Sequence, residues 1–167
     1  KLNALVRILW WKFNQIFIKT PAVVEIFPNV KCVCYPSSSF GSLVIYSKLP
    51  EYEEMNFIYN NLDKNDTFLD IGASIGAMSI IAASKVSKGK VYAFEPSPKA
   101  LEYFYENISI NNMHSRIDVS DRVVDQNRGM VSFTDLNVSE INHIQYTNFT
   151  KTEKTFGRES IILDDFL

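Results

Sequence analysis

The sequence predicts an α/β protein built on a parallel-rich sheet with flanking helices, and three observations carry that prediction. The stretch TFLDIGASIGAMSIIAASKVSKGKVYAFEP, residues 67–96, contains two short apolar segments, Thr67–Ile71 and Lys90–Phe94. Neither alternates in polarity, so both read as strands buried on two faces. A glycine turn and an alanine-rich helix, stopped at Lys88-Gly89, lie between them, which makes a parallel β-α-β unit. Finally, Asp70 and Glu95 stand at the carboxyl ends of the two strands, where sheets of this kind bind their ligands.

The turn from Asp70 to Gly76 has its own logic. Gly72 lets the backbone bend sharply and approach a ligand, Ala73 and Ser74 continue the turn, and Gly76 lets the next helix start close to the strand. A dinucleotide fingerprint would read G-x-G-x-x-G and seat a pyrophosphate; this turn is G-x-x-x-G and is preceded by a carboxylate. It therefore suits a ligand with positive charge and hydroxyls. Glu95, placed 25 residues after Asp70, is positioned to accept from both ribose hydroxyls of an adenosine. Packing alone is the competing reading of each motif taken singly. Gly72-Ala-Ser-Ile-Gly76 also matches the G-x-S-x-G nucleophile elbow of α/β-hydrolases, with Ser74 as nucleophile. That alternative lacks an H-G-G-type segment, and His114 and His143 are the only histidines.

DIGASIG followed by VYAFEPSP, with YEEMNFIYNNL upstream and ILDDFL downstream, resembles the FkbM family of S-adenosylmethionine-dependent methyltransferases. The resemblance runs from about Phe27 to Leu167 and implies a Rossmann-like class I methyltransferase fold. It implies S-adenosylmethionine as cofactor, with Asp70 toward the cationic methionine portion, Gly72, Ala73, Ser74 and Gly76 along the methionine tail, and Glu95-Pro96 at the ribose. Ser74 stands where the family has Asn, leaving a hydroxyl in place of an amide. Tyr52 and Glu53 correspond to the family's Y-E pair and would close over the cofactor, although acids here also suit a solvated helix N-terminus. Asp121 would meet the adenine amine, with Arg122 beside the ring. The family continues into a further strand and the rest of a sheet ordered 3-2-1-4-5-7-6. Those C-terminal strands do not follow here, so a longer natural protein is expected, and the first core strand would be an apolar edge.

The chain has 167 residues, enough for one domain with a real core, and begins at Lys1 rather than Met. Lys and Arg number 17 and Asp and Glu 19, a net charge of −2, with no basic field that would make nucleic acid the expected partner. Cys32 and Cys34 are too close along one strand to bridge and have no companion ligands for a metal, so no metal site is predicted. The N-x-S/T matches at Asn65, Asn107, Asn137 and Asn148 read as chance.

Residues 1–20 form a basic amphipathic helix. Leu2, Leu5, Val6, Leu9, Trp10, Phe13, Ile16 and Phe17 follow helical spacing among four cations and no acid. This stripe either lies on an anionic membrane surface or packs on the domain. Residues 21–50 form a β region, a hairpin turning at Pro28-Asn29 and then a strand from Phe40 to Ser47. The domain of residues 51–167 opens with a helix over Glu51–Leu62 and then enters the core strands. Beyond Glu95, Ser97 caps a helix with Pro98 in its first turn, burying Leu101, Phe104, Tyr105 and Ile108 and ending at Asn111-Asn112. Arg116–Ser120 and Met130–Phe133 read as strands, and Asn137–Gly157 as a polar loop that includes His143.

The expected activity is methyl transfer, with O-methylation of a hydroxyl on a sugar, glycolipid or secondary metabolite implied by the resemblance. A non-catalytic S-adenosylmethionine-binding module is the alternative, with the Ser74 hydrolase behind it. The expected partner is a small-molecule or glycan acceptor rather than nucleic acid. The expected location is cytoplasmic, with peripheral membrane contact through residues 1–19. No residue identifies the base or the oligomeric state.

Overall fold

The structure, a computed structural model, describes residues 2–134, 144–145 and 155–166. Its centre is a three-stranded parallel sheet of β3 (Thr67–Ile71), β4 (Lys90–Phe94) and β5 (Ile117–Ser120), in the order β3-β4-β5. Thr67 lies opposite Lys90 and Ile71 opposite Phe94, so the strand ends carrying Asp70 and Glu95 share one edge. The helix α4 (Ala77–Lys85) crosses from β3 to β4, and α5 (Pro98–Ile110) from β4 to β5. This is the predicted Rossmann-like unit in the predicted 3-2-1 order. Ile80, Ile81, Ala82 and Ala83 of α4, Val91 and Ala93 of β4, and Phe104 and Ile108 of α5 are buried together in one core. Small and branched side chains let α4 approach the sheet. Among the described residues β3 has one neighbour, and its Ile71 is 53% exposed.

The helix α5 starts as its sequence requires. Ser97 Oγ accepts from the Ala100 amide, Pro98 occupies the first turn, and Asn112 follows the end with φ of 55°. On its inner face Tyr103 is buried where Tyr105 was expected; Tyr105 is half exposed. A 3.6-residue period admits either tyrosine at the edge of the stripe.

The predicted hairpin forms as β1 (Ala22–Phe27) and β2 (Val30–Cys34), antiparallel, with its turn at Pro28-Asn29. Cys32 and Cys34 are free and buried. The segment expected as a strand from Phe40 is instead α2 (Ser39–Ser47). Ser38 Oγ accepts from the Gly41 amide, and this N-cap sets a helix despite the β-branched and aromatic content. The helix α3 (Tyr52–Asn61) buries Met55 and Ile58.

The first helix, α1 (Leu2–Phe13), continues as a π-helical turn over Asn14–Ile18. It docks on α2 by its more polar side. Arg7 Nη2 donates to Tyr46 O, the buried Trp11 donates through Nε1 to Ser42 Oγ, and Gln15 Nε2 donates to Pro36 O. Leu5, Leu9, Phe13 and Phe17 consequently face outward. The apolar stripe therefore does not pack on the domain. No described helix is long and apolar enough to cross a membrane.

After β5 the chain forms a second sheet of β6 (Val123–Val124), β7 (Gly129–Thr134), β8 (Ile144–Gln145) and β9 (Thr155–Ile161), in the order β6-β9-β7-β8. The expected loop thus yields to a strand at its C-terminal end, where TFGRESI alternates in burial. Asn137, His143 and Asn148 lie outside the described residues.

Candidate active site

The carboxyl ends of β3 and β4 open into a cavity of about 430 Å³. Its construction starts with the glycine turn. Gly72 and Ala73 both donate their amides to Phe94 O, at 2.8 and 3.0 Å, and the Ser74 amide donates to Glu95 Oε2 at 2.8 Å. Three successive N–H groups are thereby directed at the end of β4 and are not turned toward a phosphate. Gly72 and Gly76 both have φ of 80°, and a Cβ on Gly76 would collide with the Phe104 ring. Gly76 serves packing between turn and α5 and does not line the cavity.

Glu95 is 6% exposed and is oriented from both sides, because its Oε1 accepts from the Ser97 amide at 2.8 Å. Amide donors fix the carboxylate geometrically. Asp70 accepts from Ser79 Oγ at 2.6 Å. Burial pushes the Asp70 carboxyl above the ordinary carboxylate range, a shift that the Ser79 bond opposes and the nearby charge of Glu51 reinforces. Asn107, fully buried on α5, supports the turn from behind: its Nδ2 donates to Ile75 O at 2.8 Å and its Oδ1 accepts from the Val33 amide at 2.6 Å. Enclosed in this way, Asn107 is inaccessible to a glycan.

Of the residues singled out from the sequence, Asp70, Gly72, Ala73, Ser74, Glu95, Pro96 and Arg122 line the cavity. Asp121 lines a neighbouring recess beside Tyr92 and Phe166 instead, with a carboxylate oxygen 3.7 Å from Arg158 Nε. After β5 the chain reaches the cavity only at Arg122, one residue beyond Asp121, and Arg122 is itself paired with Glu159 at 2.9 Å. Tyr52 and Glu53 are exposed on α3 outside the cavity, and the residue just before them, Glu51, lines it. Sequence reasoning missed Glu51, which resembled the other acids of that helix start. It also missed Asn107, whose signal was an amide in the middle of an apolar helix face. Phe40, Met78 and Phe133 add apolar wall.

The lining fits S-adenosylmethionine. Three acids (Glu51, Asp70, Glu95) face one base (Arg122), a balance that favours a cationic ligand. Ser74 Oγ is buried with no hydrogen-bond partner, a polar atom left for a ligand to satisfy. For a nucleophile elbow the same atom is badly served: among the described residues no base is hydrogen-bonded to it, and His114, the one described histidine, is exposed and bonded to Ser109.

Comparison with known proteins agrees with this geometry. The model of the TRM5/TYW2 methyltransferase domain matches residues 42–151. A tRNA (guanine(37)-N(1))-methyltransferase of Dictyostelium discoideum is 32% identical over 78 residues, covering 47% of this chain and 16% of that protein. A tRNA(Phe) (4-demethylwyosine(37)-C(7)) aminocarboxypropyltransferase of Methanocaldococcus jannaschii is 37% identical over 89 residues, covering 46% of this chain and 34% of that protein. The chain thus spans between about a sixth and a third of the length of these relatives. In structure, a Pyrococcus horikoshii protein described as a transferase shares the fold, with a TM-score of 0.51, 21% identity, and coverage of 63% of this chain and 37% of that one.

These findings correct two expectations. FkbM methyltransferases are distant structural neighbours only. The glycine turn and the F-E-P strand end, which carried the resemblance, were read for a cofactor, and a cofactor reading does not specify an acceptor. For the same reason the expectation of a small-molecule or glycan acceptor and no nucleic acid does not stand, since the matched relatives are named for action on tRNA. The acceptor rested on the FkbM resemblance, and the absence of nucleic acid on net charge averaged over the chain, which says nothing of where charge is placed. The chain belongs to the TRM5/TYW2 methyltransferase domain family, whose members depend on S-adenosylmethionine.

Proposed function

We propose that this chain is the cofactor-binding part of an S-adenosylmethionine-dependent methyltransferase that modifies a nucleobase of tRNA. Glu95 supports the reading most directly: a buried carboxylate, oriented by two amides at the end of β4, in the cavity of a domain from this family. It would accept from the ribose hydroxyls. Asp70 would face the cationic portion of the cofactor, and Ser74 with the backbone of the turn would follow the methionine tail. Bound there, S-adenosylmethionine supplies an electrophilic carbon on a sulfonium. The chain's contribution is to hold that carbon in line with an acceptor, and positioning of this kind is worth roughly 7–11 kcal/mol of barrier. A nitrogen acceptor in a nucleobase fits the tRNA guanine N1 relative better than the hydroxyl expected from sequence.

The M. jannaschii relative supports a second reading, in which the aminocarboxypropyl group is transferred in place of methyl. Incubation of the purified chain with S-adenosylmethionine and unmodified tRNA transcripts separates the two. Methyl transfer leaves S-adenosylhomocysteine as by-product, and aminocarboxypropyl transfer leaves methylthioadenosine. A folded chain that binds S-adenosylhomocysteine but modifies no transcript would support the non-catalytic binding module instead, and one that does not bind it would overturn the cofactor site.

A further inference from the structure

Glu51 is the one acid of the described lining for which the cofactor contacts proposed above give no task. It directly precedes α3, at the exposed rim of the cavity, and it is close enough to Asp70 to affect that carboxyl electrostatically. Glu53 and Glu54 share the same first turn but do not line the cavity. The carboxylates of the cavity therefore fall into two groups. Glu95 stands at the end of β4 between Ser74 and Ser97, and Glu51 stands with Asp70 on the β3 side. In the same cavity lining, on the turn that follows β3, Ser74 Oγ is buried without a partner.

A ligand with an ammonium and a carboxylate on one tail complements that second group. The ammonium can be shared between two carboxylates, and the hydroxyl of Ser74 can donate to the carboxylate. Resting on the cofactor reading above, we infer that Glu51 is a specificity residue that grips the α-ammonium of the cofactor's amino-acid tail together with Asp70, so that the site selects ligands with an intact tail over bare thioadenosines.

Methylthioadenosine keeps the adenosine and the sulfur but lacks the tail, so it separates this role from a general one. The experiment is calorimetric titration of the chain with S-adenosylhomocysteine and with methylthioadenosine, for the wild type, Glu51→Gln and Glu54→Gln. Glu51→Gln is expected to lower affinity for S-adenosylhomocysteine roughly 2- to 10-fold, a modest figure because the residue is solvated, and to leave methylthioadenosine unchanged. Glu54→Gln is expected to change neither. Equal weakening of both ligands by Glu51→Gln, or no weakening of either, would overturn the assignment. A wild type that binds methylthioadenosine and not S-adenosylhomocysteine would overturn it while leaving an adenosine site. A wild type that binds neither would overturn the cofactor reading and this assignment with it.

Discussion

The Ser74 amide donates to Glu95 Oε2 at 2.8 Å, and this bond ties the glycine turn after β3 to the end of β4. The carboxylate proposed to hold the ribose is also the group that shapes the turn along the methionine tail. Glu95→Ala should therefore weaken S-adenosylhomocysteine binding through both routes, by about 2–4 kcal/mol, or roughly 30-fold or more. Calorimetry on a variant with native circular dichroism is the measurement, and an unchanged affinity would remove Glu95 from the site.

Asp70 links the site to stability. The folded chain holds this proton more tightly than the unfolded chain does, because burial raises the carboxyl above its ordinary value. Ionisation therefore costs stability: the cost begins as pH passes the unfolded value and is complete above the folded one. Asp70→Asn should remove that loss, becoming more stable relative to wild type as pH rises from acid to neutral, while its affinity for S-adenosylhomocysteine falls by about 1.5–3 kcal/mol. Urea melts across that pH range check the first expectation and calorimetry the second.

The two glycines of the turn should respond differently to alanine. Both have φ of 80°, which costs an alanine about 1–2 kcal/mol. At Gly72 nothing lies within 4 Å of the added Cβ, so that is the whole folding cost. At Gly76 the Cβ meets the Phe104 ring, and overpacking adds about 1–3 kcal/mol. Denaturant midpoints should fall further for Gly76→Ala; equal shifts would contradict the close packing of turn and α5.

The orientation of α1 can be tested by two truncations. Trp11, fully buried and bonded to Ser42, should cost about 3–5 kcal/mol on replacement by alanine. Leu9, 61% exposed on the opposite side, should change stability by no more than about 0.5 kcal/mol. The reverse order in urea melts would mean that the apolar stripe faces the domain after all.

How much of this was legible depended on whether a signal was local. The bounds of β3 and β4 were readable because an apolar run ended by glycine or acid is complete within a few residues, and Ser97-Pro98 announces a helix by its own capping chemistry. Phe40–Ser47 was not readable as a helix, since its composition suits a strand, and the cap, in which the Gly41 amide donates to Ser38 Oγ, outweighs that composition. Asp121 was displaced from the cavity by the course of the chain after β5, which no spacing rule encodes. Glu51 and Asn107 are ordinary residues by type, and only the fold brings one to a cavity and the other between two segments. The acceptor was illegible because the turn's motifs were read for a cofactor and no residue was read for an acceptor.

Asn107 joins elements far apart in the sequence, since one side chain holds both Val33 of the hairpin and Ile75 of the turn. The hairpin and the turn should therefore open as one cooperative unit. The Val33 amide, outside the parallel sheet, then becomes a reporter of the ligand site, and its hydrogen exchange should slow when a ligand steadies the turn. Asn107→Ala should break that correspondence, leaving exchange at Val33 fast whether the site is filled or empty.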